Sequence, residues 1–477
     1  MKKLIAGLCC ASLLSGAAAQ LPQGYTDPGI YAAAAEYTYQ NFKYELLSDG
    51  TAAITGYTGS LSKLQIPSAL NGKKVTRIAD SAFSGNEKLT SVTIPSGVRS
   101  IGGNAFENCV DLADITISMG VTGIGDYAFG GCESIKSIAI PNSVLDMGDF
   151  TFWGCSGLEE IVLSKSLTEI GDHLFAYCRK LKTITIPDGV ESIGSGAFME
   201  CSELESVDIP DSLTTILSNS FASCKALKSI TIPAKCTNVF LENHIFDDCD
   251  SLAEINVARG NSKYTSIGGA VYTIDRKTLV VFPTGKESAA LPSGVTTIGN
   301  NAFYSNKALN SVTMPESVTS IGKEAFLGCT GLESITIGSG VKTIGEEAFV
   351  NCSSLKTITI PKSVTMIKSK GVGYDLDFLT YTKNDDLIIR GYKSTIAQQY
   401  AKNTGITFID IDAAKKGDVN FDGAVGMADL TRLQQYLAQW DVKADLDAAE
   451  VTGDNKLTMA DLTRLQQYLA NWDVKLG

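Results

Sequence analysis

Histidine is nearly missing from this chain of 477 residues; there are two, His173 and His244. That scarcity weakens histidine-rich metal sites and most acid/base triads as readings, because imidazole is the side chain that titrates near neutral pH. Of three tryptophans only Trp153 falls before residue 412. Positive charge is also in deficit, 40 Lys+Arg against 52 Asp+Glu, for a net charge of −12. Such a chain is a poor ligand for nucleic acid or an anionic membrane surface, although it attracts calcium. Long apolar runs are absent after the start. Lys2 and Lys3 precede an apolar stretch from Leu4 to Leu14, followed by Ala17-Ala18-Ala19. Residues 1–19 therefore read as a signal peptide. No later run approaches about 18 apolar residues, which predicts a secreted chain with no membrane span.

What the chain has in abundance is a repeat. Phe83, Phe106, Phe129, Phe152, Phe175, Phe198 and Phe221 recur every 23 residues, and Phe303, Phe326 and Phe349 resume that spacing later. One unit runs from Leu89 through Val92, Ile94, Pro95, Val98 and Ile101 to Ala105-Phe106 and Cys109. The Leu-x-x-Val-x-Ile portion alternates as a strand does, and Pro95 ends its hydrogen bonding. A second apolar segment then closes at the Phe. A unit this small cannot bury its own apolar face, so the units must stack into one continuous core.

Cysteine occupies one repeat position at Cys109, Cys132, Cys155, Cys178, Cys201, Cys224, Cys249, Cys329 and Cys352, where Asn86 and Asn306 stand in other units. Disulfides would not exchange Cys for Asn. An inward column hydrogen-bonding the turn backbone would accept either, so a ladder of free thiols is expected, with a few disulfides as the alternative. The outward strand column, from Thr93 and Thr116 through Ala139, Val162 and Thr185 to Thr359, is small and lacks aromatics. The position after each repeat Phe carries Trp153, Met199, Tyr304, Leu327 and Val350. These form either an apolar interaction rim or packing against the next turn.

These repeats resemble the BspA-like surface-antigen class of leucine-rich repeats over roughly residues 45–410, in about eleven rungs. The resemblance implies an N-terminal cap at 20–59, repeats at 60–258 and 291–365, and a C-terminal cap at 366–411. Residues 264–283 alternate in two runs around Asp275-Arg276, suggesting a hairpin inserted at 259–290. Family members are exposed or secreted and many bind proteins, without the family name predicting a particular ligand.

The last sixty residues carry the sharper chemistry. Met427–Lys443 recurs at Met459–Lys475 with a single change, Gln439 to Asn471. An oxygen-rich loop precedes each copy. Calcium takes six to eight hard oxygens, and a twelve-residue loop supplies them from positions 1, 3, 5, 7 and 12. In the first loop these are Asp418, Asn420, Asp422, the Ala424 carbonyl and Asp429; in the second, Glu450, Thr452, Asp454, the Lys456 carbonyl and Asp461. The second set is the weaker, because Thr452 offers a neutral hydroxyl and Asn455 replaces the turn residue Gly423.

Two loop-helix units at fixed spacing, both loops ending in Asp, resemble a dockerin over 417–477, joined by a linker at 412–416. The resemblance implies calcium as cofactor and, as partner, a cohesin module of a scaffoldin. It places the cohesin contacts at Met427, Ala428, Gln434, Gln435 and Gln439, and at Met459, Ala460, Gln466, Gln467 and Asn471. The expected fold class is therefore a β-rich leucine-rich-repeat solenoid with a small all-α calcium-binding dockerin domain. Two functions compete. One is a secreted, non-catalytic protein that recognises a protein or surface and is attached to a cellulosome-type scaffold. The other is an enzyme or carbohydrate-binding component of a polysaccharide-degrading complex. Only about residues 20–44 carry neither repeat nor dockerin pattern, too few for a catalytic domain.

Overall fold

A computed structural model describes residues 35–239, 244–377, 379–411, 416–420, 425–438, 444, 446–453, 456–470 and 475–476. The expected signal peptide and linker residues 412–415 lie outside them. Most rungs contribute one strand of two to four residues to each of two parallel ladders. In the first, Ser91–Ile94 pairs with Asp114–Ile117, Val92 opposite Ile115. In the second, Ser100–Ile101 lies between Arg77–Ile78 and Gly123–Ile124. These pairings step by the sequence repeat, so equivalent side chains come to lie above one another. Leu89, Val92, Ile94, Val98, Ile101, Ala105, Phe106 and Cys109 of one unit are all buried. Each large apolar side chain so buried contributes about 1.5–3 kcal/mol.

The repeat phenylalanines form a stack through this core. Successive centroids from Phe83 to Phe246 lie 5.0 to 5.9 Å apart with rings within 17° of parallel. The ten described cysteines are buried and free. In the ladder each thiol donates to the carbonyl of the previous rung's Phe, as Cys178 does to Phe152 at 3.2 Å and Cys329 to Phe303 at 3.1 Å. Burial pushes the Cys155 and Cys352 thiols up to about 12. Asn306 takes the same place by donating to the Pro283 carbonyl at 3.0 Å while its own oxygen accepts the Leu309 N–H. That exchange of amide for thiol is what the sequence position demanded.

The inserted segment departs from a single hairpin. Tyr264–Ile267, Ala270–Thr273 and Thr278–Val281 form three antiparallel strands, and the third pairs in parallel with Thr297–Ile298 of the next rung. The first turn uses Gly268 and Gly269 at φ 59° and 79°, a left-handed pair that glycine adopts without strain. Phe282 then rejoins the ring stack against Phe303 at 4.8 Å. The insertion thus continues the solenoid.

The first helix, α1 (Ile396–Thr404), lies between strands Ile388–Gly391 and Thr407–Asp410, which pair in parallel and close the C-terminal end. Three helices follow among the described residues: α2 (Met427–Leu437), α3 (Leu446–Ala449) and α4 (Met459–Leu469). Their core joins residues related by the 32-residue duplication, Val419 with Val451 and Leu433 with Leu465, to Ala449, and is ringed by Leu430, Leu437, Leu462 and Leu469. Among the described residues no helix is long and apolar enough to cross a membrane.

Candidate functional site

The duplicated loops place their last carboxylates alike. Asp429, in the first turn of α2, accepts the Gly426 N–H at 2.7 Å and the Asn420 N–H at 2.9 Å. Asp461, in the first turn of α4, accepts N–H groups of Thr458 at 2.8 Å, Val451 at 3.0 Å and Thr452 at 3.1 Å. Both carboxylates are fully buried. Burial acts to raise the Asp461 pKa, yet the donors from Thr458, Thr452 and Val451 outweigh it and hold the carboxyl below its usual range. Each carboxylate thus ties the loop start to the helix start, next to the positive end of the helix dipole.

In the second loop three expected ligands meet. The Thr452 hydroxyl lies 3.1 Å from Glu450 Oε1 and 3.0 Å from Asp461 Oδ1. Glu450 Oε1 also accepts the Gly453 N–H at 2.5 Å. Its other oxygen, Oε2, lies 3.3 Å from Lys416 Nζ, which donates to the Glu450 carbonyl at 2.6 Å. In the first loop Asp418 is buried and Asn420 half-buried; Lys456 is exposed. Asp422, Ala424 and Asp454 lie outside the described residues. Among the described residues no group of three His, Cys, Asp or Glu side chains is placed to hold a metal ion. The donors that do converge are hard oxygens, the chemistry calcium takes.

The proposed partner-facing residues match in pairs. Met427 and Met459 are 66% and 61% exposed, Ala428, Ala460, Gln434 and Gln466 are exposed, and Gln435 and Gln467 are half-buried. Gln439 and Asn471 lie outside the described residues.

On the solenoid, the outward strand column is solvated, with Val162 65% exposed. The apolar rim holds only in part. Trp153 is 38% exposed and Met199, Tyr304 and Leu327 are half-buried, but Val350 is fully buried. Beside that rung lies a hairpin that sequence reasoning missed, Tyr374–Asp377 with Thr380–Lys383. This hairpin bonds the neighbouring rung through Leu376 N–H to Asn351 Oδ1 at 2.6 Å and Tyr381 hydroxyl to Glu347 at 2.5 Å. A second feature was also missed. Tyr127, Phe150 and His173, each two residues before a repeat Phe, stack at centroid spacings of 4.5 and 4.7 Å. Three aromatic residues at one position in consecutive rungs were the available signal.

The repeat region matches the profile of the BspA type leucine-rich repeat region, in six copies, over residues 56–182, 168–273 and 283–383. The chain belongs to the BspA-type leucine-rich repeat family. The end of this BspA-type chain, residues 416–470, matches the dockerin type I domain. It is similar to the crystal structure of a leucine-rich cell surface protein from Faecalibacterium prausnitzii A2-165. The two are 32% identical with a TM-score of 0.55, over 79% of this chain and 94% of the other. A leucine-rich repeat protein from Bacteroides ovatus is 27% identical with a TM-score of 0.53, over 79% of this chain and 99% of the other. No curated protein matches.

Proposed function

We propose that this is a secreted, non-catalytic recognition protein whose solenoid binds a protein or surface ligand and whose C-terminal module attaches it to a cohesin of an extracellular scaffold. Residues 1–19 direct export, 20–411 form the capped solenoid, 412–416 link, and 417–477 dock. Calcium holds the module through Asp418, Asn420, Asp422, the Ala424 carbonyl and Asp429. A second ion sits more weakly at Glu450, Thr452, Asp454, the Lys456 carbonyl and Asp461. The observation that carries the reading is the pairing of equivalent residues. Met427, Ala428 and Gln434 share their exposure with Met459, Ala460 and Gln466, while the equivalent pair Leu433 and Leu465 builds the core. Two such faces, related by a half-turn, offer a cohesin two nearly equal poses.

The test is calcium-dependent capture of cohesin by the full chain. Blocking one face with Ala428→Asp and Gln435→Glu should cost little more than a factor of two, about 0.4 kcal/mol. Adding Ala460→Asp and Gln467→Glu should abolish tight binding. A full loss from the first pair alone would show a single binding mode.

A further inference from the structure

The inserted strands at 264–281 lie between two cores. The buried apolar side chains of the solenoid fall into two clusters, one from Phe42 to Val281 and one from Ala270 to Ile406. Where the two overlap, the insertion divides them residue by residue. Val271 lies opposite Val281, and both belong to the first cluster; Tyr272 lies opposite Leu279, and both belong to the second. Alternate residues of a strand point to opposite faces, so this small sheet is a wall with one core on each side.

At the wall the devices that join successive rungs stop together. The first ladder ends with Ser229–Ile232 beside Glu254–Val257 and resumes with Ser288–Ala290 beside Ser311–Thr313. The second ends with Thr215–Ile216 beside Asn238–Val239 and resumes with Thr278–Val281 beside Thr297–Ile298. Among the described residues no strand pairing joins either pair of ends. The ring stack runs from Phe83 to Phe246 and again from Phe282 to Phe349, with no ring contact between Phe246 and Phe282 among the described residues. The Phe221 N–H donates to the Ile245 carbonyl at 3.1 Å and the Phe303 N–H to Ala325 at 2.8 Å, whereas the Phe246 N–H has no acceptor among the described residues.

Lapses elsewhere are single and bridged. The first ladder skips from Asp114–Ile117 to Ser137–Ala139, yet Phe106, Phe129 and Phe152 stack straight through. The bonds that do cross the wall are scattered. They include Ile255 N–H to the Gly269 carbonyl at 2.8 Å, Gly285 N–H to the Leu252 carbonyl at 2.9 Å, the Thr284 hydroxyl to the Cys249 carbonyl at 2.6 Å, and Lys307 with Asp248 at 2.9 Å.

We propose that the insertion is an internal cap that acts as a stop, dividing the solenoid into two units so that unfolding begun in one does not pass into the other. A repeat array is held by terms within each rung and between neighbours, so opening spreads across strong interfaces and halts at the weakest. When the second unit opens, the wall stays with the first core through Tyr264, Val271, Val280 and Val281, and that core keeps its cover. Damage or load at the C-terminal end thus spares the rungs from Phe83 to Phe246. The proposal rests neither on the recognition reading nor on the docking module.

The experiment is native-state hydrogen exchange of the full chain, read segment by segment. Phe221→Ala empties a fully buried site between rings 5.3 and 5.9 Å away, close to the wall. It should speed exchange about a hundred-fold or more throughout the first unit, as far as Ser91–Ile94, and leave Ser311–Thr313 unchanged although that strand is nearer. Phe303→Ala, on the other side, should speed exchange at Thr357–Thr359 and spare Ser229–Ile232. Faster exchange on both sides of the wall from either variant overturns the proposal. So does an effect that fades with distance inside a unit and leaves Ser91–Ile94 untouched. Should a variant not fold, exchange of the unaltered chain in rising urea reads the same boundary. Two groups of amides with separate urea dependences, meeting at 258–290, support the stop; one shared dependence refutes it.

Discussion

Changing Asp461 and Asp429 to Asn in separate chains separates two roles of the same carboxylate. Among the described residues Asp461 receives three backbone N–H donors and shares the Thr452 hydroxyl, whereas Asp429 receives two N–H donors. A hydrogen bond to a charged acceptor is worth about 1.5–3 kcal/mol and a neutral one about 1, so each donor loses about 1 kcal/mol when the charge goes. With calcium chelated, Asp461→Asn should therefore destabilise the module by about 3–4 kcal/mol and Asp429→Asn by about 2 kcal/mol. Hydrogen exchange in the full chain reads this directly, as lost amide protection in Met427–Leu437 and Met459–Leu469. Calcium affinity measured by calorimetry should rank the two the other way, because the first loop carries the better ligand set. An equal loss of protection with chelator, or a larger calcium defect for Asp461→Asn, would refute the reasoning.

Lys416→Met should raise calcium affinity at the second loop, since its ammonium stands 3.3 Å from Glu450 Oε2 and competes for that oxygen; calorimetric affinity that stays equal or falls would count against it. Because the Asp461 carboxyl is held below its usual range in the folded state, its contribution should persist at neutral pH and vanish only as pH falls through that lowered value, below about 4. Helicity of the module followed down in pH with chelator present would check this. Phe175→Ala, emptying a fully buried site between rings 5.8 and 5.5 Å away, should cost about 3–5 kcal/mol in urea unfolding. The ladder thiols, buried and pushed up to about 12 at Cys155 and Cys352, should resist a thiol reagent at pH 8 until the chain unfolds.

What the sequence made legible is what recurs. The Phe spacing, the Cys column with its Asn exceptions and the 32-residue duplication each repeat, and stacking turns repetition into contact. Features that occur once were missed. The Gly268-Gly269 turn splits one expected strand run into two, and the hairpin of Tyr374–Asp377 with Thr380–Lys383 bonds Asn351 and Glu347 from outside the repeat pattern. The aromatic stack escaped for a different reason. The residue after each repeat Phe drew the comparison, whereas the left-handed position two residues before it carries Tyr127, Phe150 and His173.

The closing strand Thr407–Asp410 has a mechanical consequence. Under the proposed attachment, a protein held through its C-terminal module and dragged by flow or by a bulky ligand carries the load through that end first. Rungs bond only to their neighbours, so tension reaches the solenoid as a peeling force and is not shared along its length. The first resistance is four residues pairing with Ile388–Gly391 and the Lys393–Asp410 ion pair at 3.1 Å. Under that attachment this short seam is the first part of the solenoid to bear load, ahead of the long stack of phenylalanines behind it.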